Sequence, residues 1–216
     1  MKKKVCGVNI AYTDHGAGRP LILMHGNPDT RHCWNPLIER LGEGIRIIAP
    51  DFPGFGESEP LPDDYNLGPE GMAHFWNEFI NSLSLSEPVT VVVHDFGGPW
   101  LLPWVAKNPE RVHGLLILNT TFHRDFTWHF WAKIWQTPIL GELSMIMMNR
   151  LMFRLSIQQA SPKHPVKAIH ETYGRMHSTM KQTTLRFYRA YADSSKVFKG
   201  WEQKLQQAIN QISTRV

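Results

Sequence analysis

The feature that most constrains this chain is a β-branched run that stops abruptly in a turn, Val91-Val92-Val93-His94-Asp95-Phe96-Gly97-Gly98. Apolar residues at consecutive positions suit a strand buried on both faces, the state of a parallel strand covered by helices. The glycine-relieved turn then feeds a helix, and such a turn lifts its residue out of the sheet in a strained backbone conformation. Asp tolerates that conformation better than most residues, so Asp95 is expected at the tip, presented and not buried. A carboxylate there, in place of a serine, shifts the chemistry from acyl transfer toward displacement at an alkyl carbon through an ester intermediate.

Other runs share the character of 89–93. Leu21-Ile22-Leu23-Met24, Ile45-Arg46-Ile47-Ile48 and Leu115-Leu116-Ile117-Leu118 are continuous and apolar, and segments with helical content lie between them at 33–41, 69–83 and 100–107. Strand, helix, strand at this spacing predicts an α/β fold with right-handed crossovers and a mostly parallel sheet. Residues 5–12 alternate like one further strand, and Lys2-Lys3-Lys4 before them reads as a solvated arm. After Asn119-Thr120 the pattern changes. From Phe122 to about residue 199 there is no strand signal, only helical stretches rich in Trp, Phe and Met and punctuated by Pro138, Pro162 and Pro165. The expected organisation is a core over 1–121, a helical insertion over 122–200 and a start of return to the core over 201–216.

A chain of 216 residues supports one substantial core plus an accessory layer. Its net charge of +4 is scattered, which argues against a nucleic-acid partner. No signal-peptide pattern or membrane span is present, and Cys6 and Cys33 lack C-x-x-C spacing, so both read as ordinary thiols in a reducing cytoplasm. Neither a histidine pair with a further ligand nor a Gly-Lys-Ser loop occurs, and no metal or cofactor is expected.

Two more motifs stand at strand ends: His25-Gly26-Asn27-Pro28 after the first apolar run, and Asp51-Phe52-Pro53-Gly54-Phe55-Gly56-Glu57-Ser58 after the second. In this order with His94-Asp95, they make the chain resemble the α/β-hydrolase superfamily, within it the haloalkane dehalogenase and epoxide hydrolase branch, from about residue 7 to 203. The resemblance implies an α/β-hydrolase fold with an inserted helical cap and a small apolar substrate. It implies Asp95 as nucleophile, the backbone N–H groups of Phe96 and Asn27 as oxyanion donors, and the Asn27 side chain as a donor to a departing halide.

The chain also departs from that pattern. The residue after the nucleophile is normally Trp, a second halide donor, and here it is Phe96; Trp128, Trp131 or Trp135 from the insertion are the expected substitutes. Asn119 stands where an acid can follow the strand after the elbow. Together with Asn27 it resembles the subgroup containing β-lactone decarboxylases. Tyr173, Tyr188 and Tyr191 are the candidates for the phenols that epoxide hydrolases use. The superfamily's two further strands and catalytic His find no match after residue 200. The sheet is therefore expected to lack its last strands and to leave 115–118 as an unpaired edge prone to self-association. An inactive fragment or a ligand-binding pseudoenzyme stands as the alternative to an active hydrolase.

Overall fold

The structure, a computed structural model, describes residues 1–212 and the backbone of residues 214–215. Its strands are β1 (Lys2–Val5), β2 (Val8–His15), β3 (Arg19–Met24), β4 (Ile45–Pro50), β5 (Val89–His94), β6 (Val112–Leu118) and β7 (Thr214–Arg215), joined in one sheet in the order β1-β2-β4-β3-β5-β6-β7. The β3–β4, β3–β5, β5–β6 and β6–β7 pairs are parallel, and β1 and β2 add an antiparallel end. Ile22, Leu23, Met24, Val91 and Val93 are almost wholly enclosed, as strands covered on both faces require.

Helices α1 (Asn35–Ile38), α2 (Pro69–Ser82) and α3 (Gly97–Lys107) connect the strands. Then come α4 (Phe130–Gln136), α5 (Leu140–Met147), α6 (Arg150–Ala160), α7 (Val166–Arg175), α8 (Ser178–Ala190), α9 (Ser194–Val197) and α10 (Trp201–Gln211). α2 and α10 both pack on α3. The core is aromatic: Phe52 stacks on Trp100 with ring centroids 3.9 Å apart, and Phe55, Phe75, Trp76, Phe79 and Trp104 are fully buried around them. Pro103 inside α3 supplies no N–H for the carbonyl of Pro99. The buried Tyr191 hydroxyl donates to that carbonyl instead, at 3.2 Å.

The loop after β4 is built around a buried charge. The Asp51 carboxylate accepts from the backbone N–H of Arg31 at 2.7 Å and of Glu57 at 3.0 Å, and it pairs with the Arg31 guanidinium, which also reaches Glu57 at 2.8 Å.

Two expectations need correction. The alternating stretch 5–12 is a hairpin, because Cys6 at φ 47° and Gly7 at φ 87° turn the chain back and pair Val5 with Val8. The lysines thus form an edge strand, where their charge discourages pairing with another chain, and not a solvated arm. The β6 edge is also not fully open. β7 pairs Gly114 with Thr214 and Leu115 with Arg215, so only the end of β6 remains uncovered, with Ile117 and Leu118 exposed.

Candidate active site

The chain runs from β3 outward to β4, then returns to place β5 on the other side of β3. At such a reversal the loops leaving the strands part, and a crevice opens beyond the carboxyl ends. Asn27 follows β3 and Asp95 follows β5, so both stand at this crevice.

Asp95 occupies a left-handed conformation, φ 51°, between β5 and α3. Three glycines permit it. A Cβ on Gly26 would run into the Asp95 side chain and lie 2.8 Å from the His94 carbonyl oxygen, and one on Gly97 would lie 2.8 Å from the carbonyls of Met24 and His25. A Cβ on Gly98 would overlap Thr120, whose hydroxyl donates to the Asp95 backbone carbonyl and ties the turn to the segment after β6.

The Asp95 carboxylate is held asymmetrically. Oδ1 accepts from the backbone N–H of Asn27 at 2.8 Å and of Phe96 at 2.6 Å. Oδ2 accepts no hydrogen bond among the described residues. Burial pushes the pKa of the group up, against the pull of the two N–H donors. The Asn27 side chain is oriented from the helical layer: the Thr184 hydroxyl on α8 donates to its Oδ1 at 2.9 Å, which turns the amide NH2 the other way.

Above Asp95 lies a cavity of about 370 Å³, lined by Asn27, His129, Trp131, Trp135 and Tyr188 and closed by Met145, Met148 and Phe153. The indole N–H groups of Trp131 and Trp135 are enclosed and find no acceptor among the described residues. Trp128 differs from the other two. It is not part of this lining, since its indole N–H donates to the Tyr191 carbonyl at 2.9 Å and its ring stacks on Phe96 at 5.6 Å. The Phe96 ring is buried in that aromatic cluster, so its backbone N–H is the part that reaches Asp95.

Of the tyrosines, Tyr173 donates to the Met148 carbonyl and Tyr191 to that of Pro99, whereas Tyr188 faces the cavity beside Asn27. Burial, and then the nearby Asp95 charge, hold the Tyr188 phenol well above its usual pKa and therefore protonated. His25 is buried and neutral, with Nε2 accepting from the Phe52 N–H at 2.9 Å and Nδ1 donating to the Gly26 carbonyl at 2.8 Å. His129 caps α4, its Nδ1 accepting from the Ala132 N–H at 3.2 Å, so the neutral ring carries its proton on Nε2. Sequence reasoning singled out neither Thr184 nor His129 for the site. Neither has a motif, and both reach the site through the packing of the helical layer.

The sequence profile of the alpha/beta hydrolase fold family matches residues 19–215. A haloalkane dehalogenase of Agrobacterium fabrum is 32% identical over 109 residues, 50% of this chain and 35% of the relative. A cis-3-alkyl-4-alkyloxetan-2-one decarboxylase of Shewanella oneidensis is 33% identical over 140 residues, 62% of this chain and 44% of the relative. The matched stretches thus span less than half the length of either relative. Among solved structures, the Cif epoxide hydrolase from Acinetobacter nosocomialis superimposes with a TM-score of 0.83 over 99% of this chain and 71% of that one, at 20% identity, a likeness of fold.

Proposed function

This chain belongs to the α/β-hydrolase fold family, and we propose that its site cleaves a carbon–halogen bond in an apolar substrate through an alkyl ester on Asp95. The observation that carries the reading is the asymmetry of that carboxylate. Oδ1 is fixed by two backbone N–H groups while Oδ2 is left to the cavity. Similarity to haloalkane dehalogenases supports it.

In the first step Oδ2 attacks the halogen-bearing carbon, a C–O bond forms, and the C–X pair leaves as halide. The Asn27 NH2 is the donor beside Asp95 to receive it, and the indole N–H groups of Trp131 and Trp135, unpaired among the described residues and in the wall of the same cavity, are the candidates for a second donor once a ligand opens the wall. Donors that gain strength as the anion forms lower the barrier selectively. In the second step water attacks Asp95 Cγ and negative charge gathers on Oδ1, where the Asn27 and Phe96 N–H groups already point. That step needs a base. His25 has both nitrogens engaged, and His129 uses Nδ1 as a helix cap. The expected behaviour is therefore one alkylation per chain followed by a stall.

Intact-mass measurement after incubation with excess 1-bromobutane tests this. One butyl group at Asp95, absent in Asp95→Asn, is expected. No adduct on a sample shown to be folded would overturn the nucleophile assignment, and sustained bromide release would show that another group activates water.

A second reading has its own observation. The protonated Tyr188 phenol beside Asn27 is placed to donate to the oxygen of a strained ring, as opening of an epoxide or a β-lactone at the same carboxylate requires. Tyr188→Phe separates the readings: loss of the covalent adduct from an epoxide or lactone with bromobutane alkylation retained favours ring opening.

A further inference from the structure

Helix α5 is apolar at every position but Glu142 and Ser144. Gly141 and Met145 turn inward and are buried, while Leu143, Ile146 and Met147 stand outward at 50%, 78% and 64% exposure. A helix this apolar is expected to be covered on both sides, and the outer side of this one is open at these three positions. Ile139 and Leu140 at the start of α5 are exposed as well, and so are Leu151 and Leu155, one turn apart on α6, the next helix in the chain. An apolar face of this size on a protein surface marks an interaction site.

The charge around the face selects the occupant. Between residues 125 and 171 the bases Lys133, Arg150, Arg154, Lys163 and Lys167 outnumber the carboxylates Asp125, Glu142 and Glu171. Arg189 already neutralises Glu142, at 2.7 Å. Arg150 and Arg154 stand one turn apart on α6, each beside an exposed leucine, and Arg154 donates to a neutral partner, Gln158, at 3.1 Å. A two-fold contact with a second copy would bring this basic rim against itself, and like charges oppose such an interface. A surface of regular negative charge over an apolar interior complements both parts at once.

We propose that this face docks on an anionic lipid surface, with Leu143, Ile146, Met147 and Leu151 entering the headgroup boundary and Lys133, Arg150 and Arg154 lying against the phosphates. Among the described residues no helix is long and apolar enough to cross a membrane, and the contact proposed is one of surface docking. The inner sides of the same helices supply Trp131, Met145 and Phe153 to the cavity, so the docked face is the outer side of the cavity roof. Docking of this kind requires nothing of the chemistry at Asp95.

Flotation of the whole chain with phosphatidylcholine vesicles, with and without about 30 mol% phosphatidylglycerol, tests it. Binding is expected only to the anionic vesicles, falling as salt shortens the reach of the charges. Leu143→Gln with Ile146→Gln, both outward residues, should weaken binding at least about tenfold through lost apolar insertion. Arg150→Gln with Arg154→Gln should weaken it about twenty-five-fold, because each base near a charged bilayer contributes roughly fivefold. Melting temperature and circular dichroism of both variants should match the parent. Equal binding to neutral vesicles, no flotation with either kind, or a dimer in sedimentation velocity that the Leu143 and Ile146 changes dissolve would each overturn the lipid assignment.

Discussion

Thr184 holds Asn27 by its carbonyl end: the hydroxyl of one donates to Oδ1 of the other at 2.9 Å across 157 positions of chain. An amide has two chemically different ends of nearly equal shape, and this bond decides that the NH2 end is available to an anion. The helical layer therefore sets the polarity of a group that the sheet positions.

Removal of that bond gives the first prediction. Thr184→Val keeps the shape and leaves the enclosed Asn27 oxygen without its partner, a loss of about 1–3 kcal/mol in stability. Rapid-quench intact-mass kinetics should show alkylation by bromobutane slowed about tenfold, since the amide no longer has one preferred orientation. An unchanged rate would mean that Asn27 is oriented by something other than Thr184.

Asp95 is expected to lower stability at neutral pH. Its folded pKa is raised, so between the unfolded and folded values the folded state binds more protons, and stability falls as pH rises through that window. Asp95→Asn keeps an oxygen for the two N–H donors and removes the buried charge. Its melting temperature should exceed the parent's at pH 7, with the difference fading once the pH lies below the ordinary carboxylate range. Alkylation of the parent should fall as pH drops through the raised pKa, because only the carboxylate attacks.

Arg31 and Asp51 carry the opposite expectation. Arg31→Met leaves the buried Asp51 carboxylate with two backbone donors and no countercharge, a change that destabilises by about 3–5 kcal/mol. Urea unfolding monitored by fluorescence measures it, and a loss under about 1 kcal/mol would show that the backbone N–H groups suffice.

Trp131 and Trp135 contribute enclosed N–H groups without acceptors, whereas the Trp128 N–H is taken. Trp131→Phe and Trp135→Phe should each slow alkylation by bromobutane, by up to about a hundredfold, as one well-placed donor lost at a developing anion is worth about 3 kcal/mol. Trp128→Phe should leave the rate nearly unchanged and lower the melting temperature, because its indole bonds a buried carbonyl.

What the sequence alone determined is local. Short runs of mostly apolar residues marked the strands at 21–24, 45–48, 89–93 and 115–118, because burial on both faces leaves few polar positions in such a run. The turn at Asp95 was legible for a similar reason: Gly26, Gly97 and Gly98 stand where backbone and side chains approach too closely for a Cβ. Tertiary structure decided what depends on distant segments meeting. The alternation of 5–12 could not reveal that Cys6 and Gly7 reverse the chain, since a hairpin and a single strand share a period of two. Periodicity in the helical layer says which residues pack, not against what. Trp128, Trp131 and Trp135 read alike in sequence, yet the Tyr191 carbonyl claims one indole and the cavity receives the other two. Thr184 and His129 reach Asp95 and Asn27 only because helices packed over the strand ends bring them there, and such contacts leave no pattern in the chain that makes them.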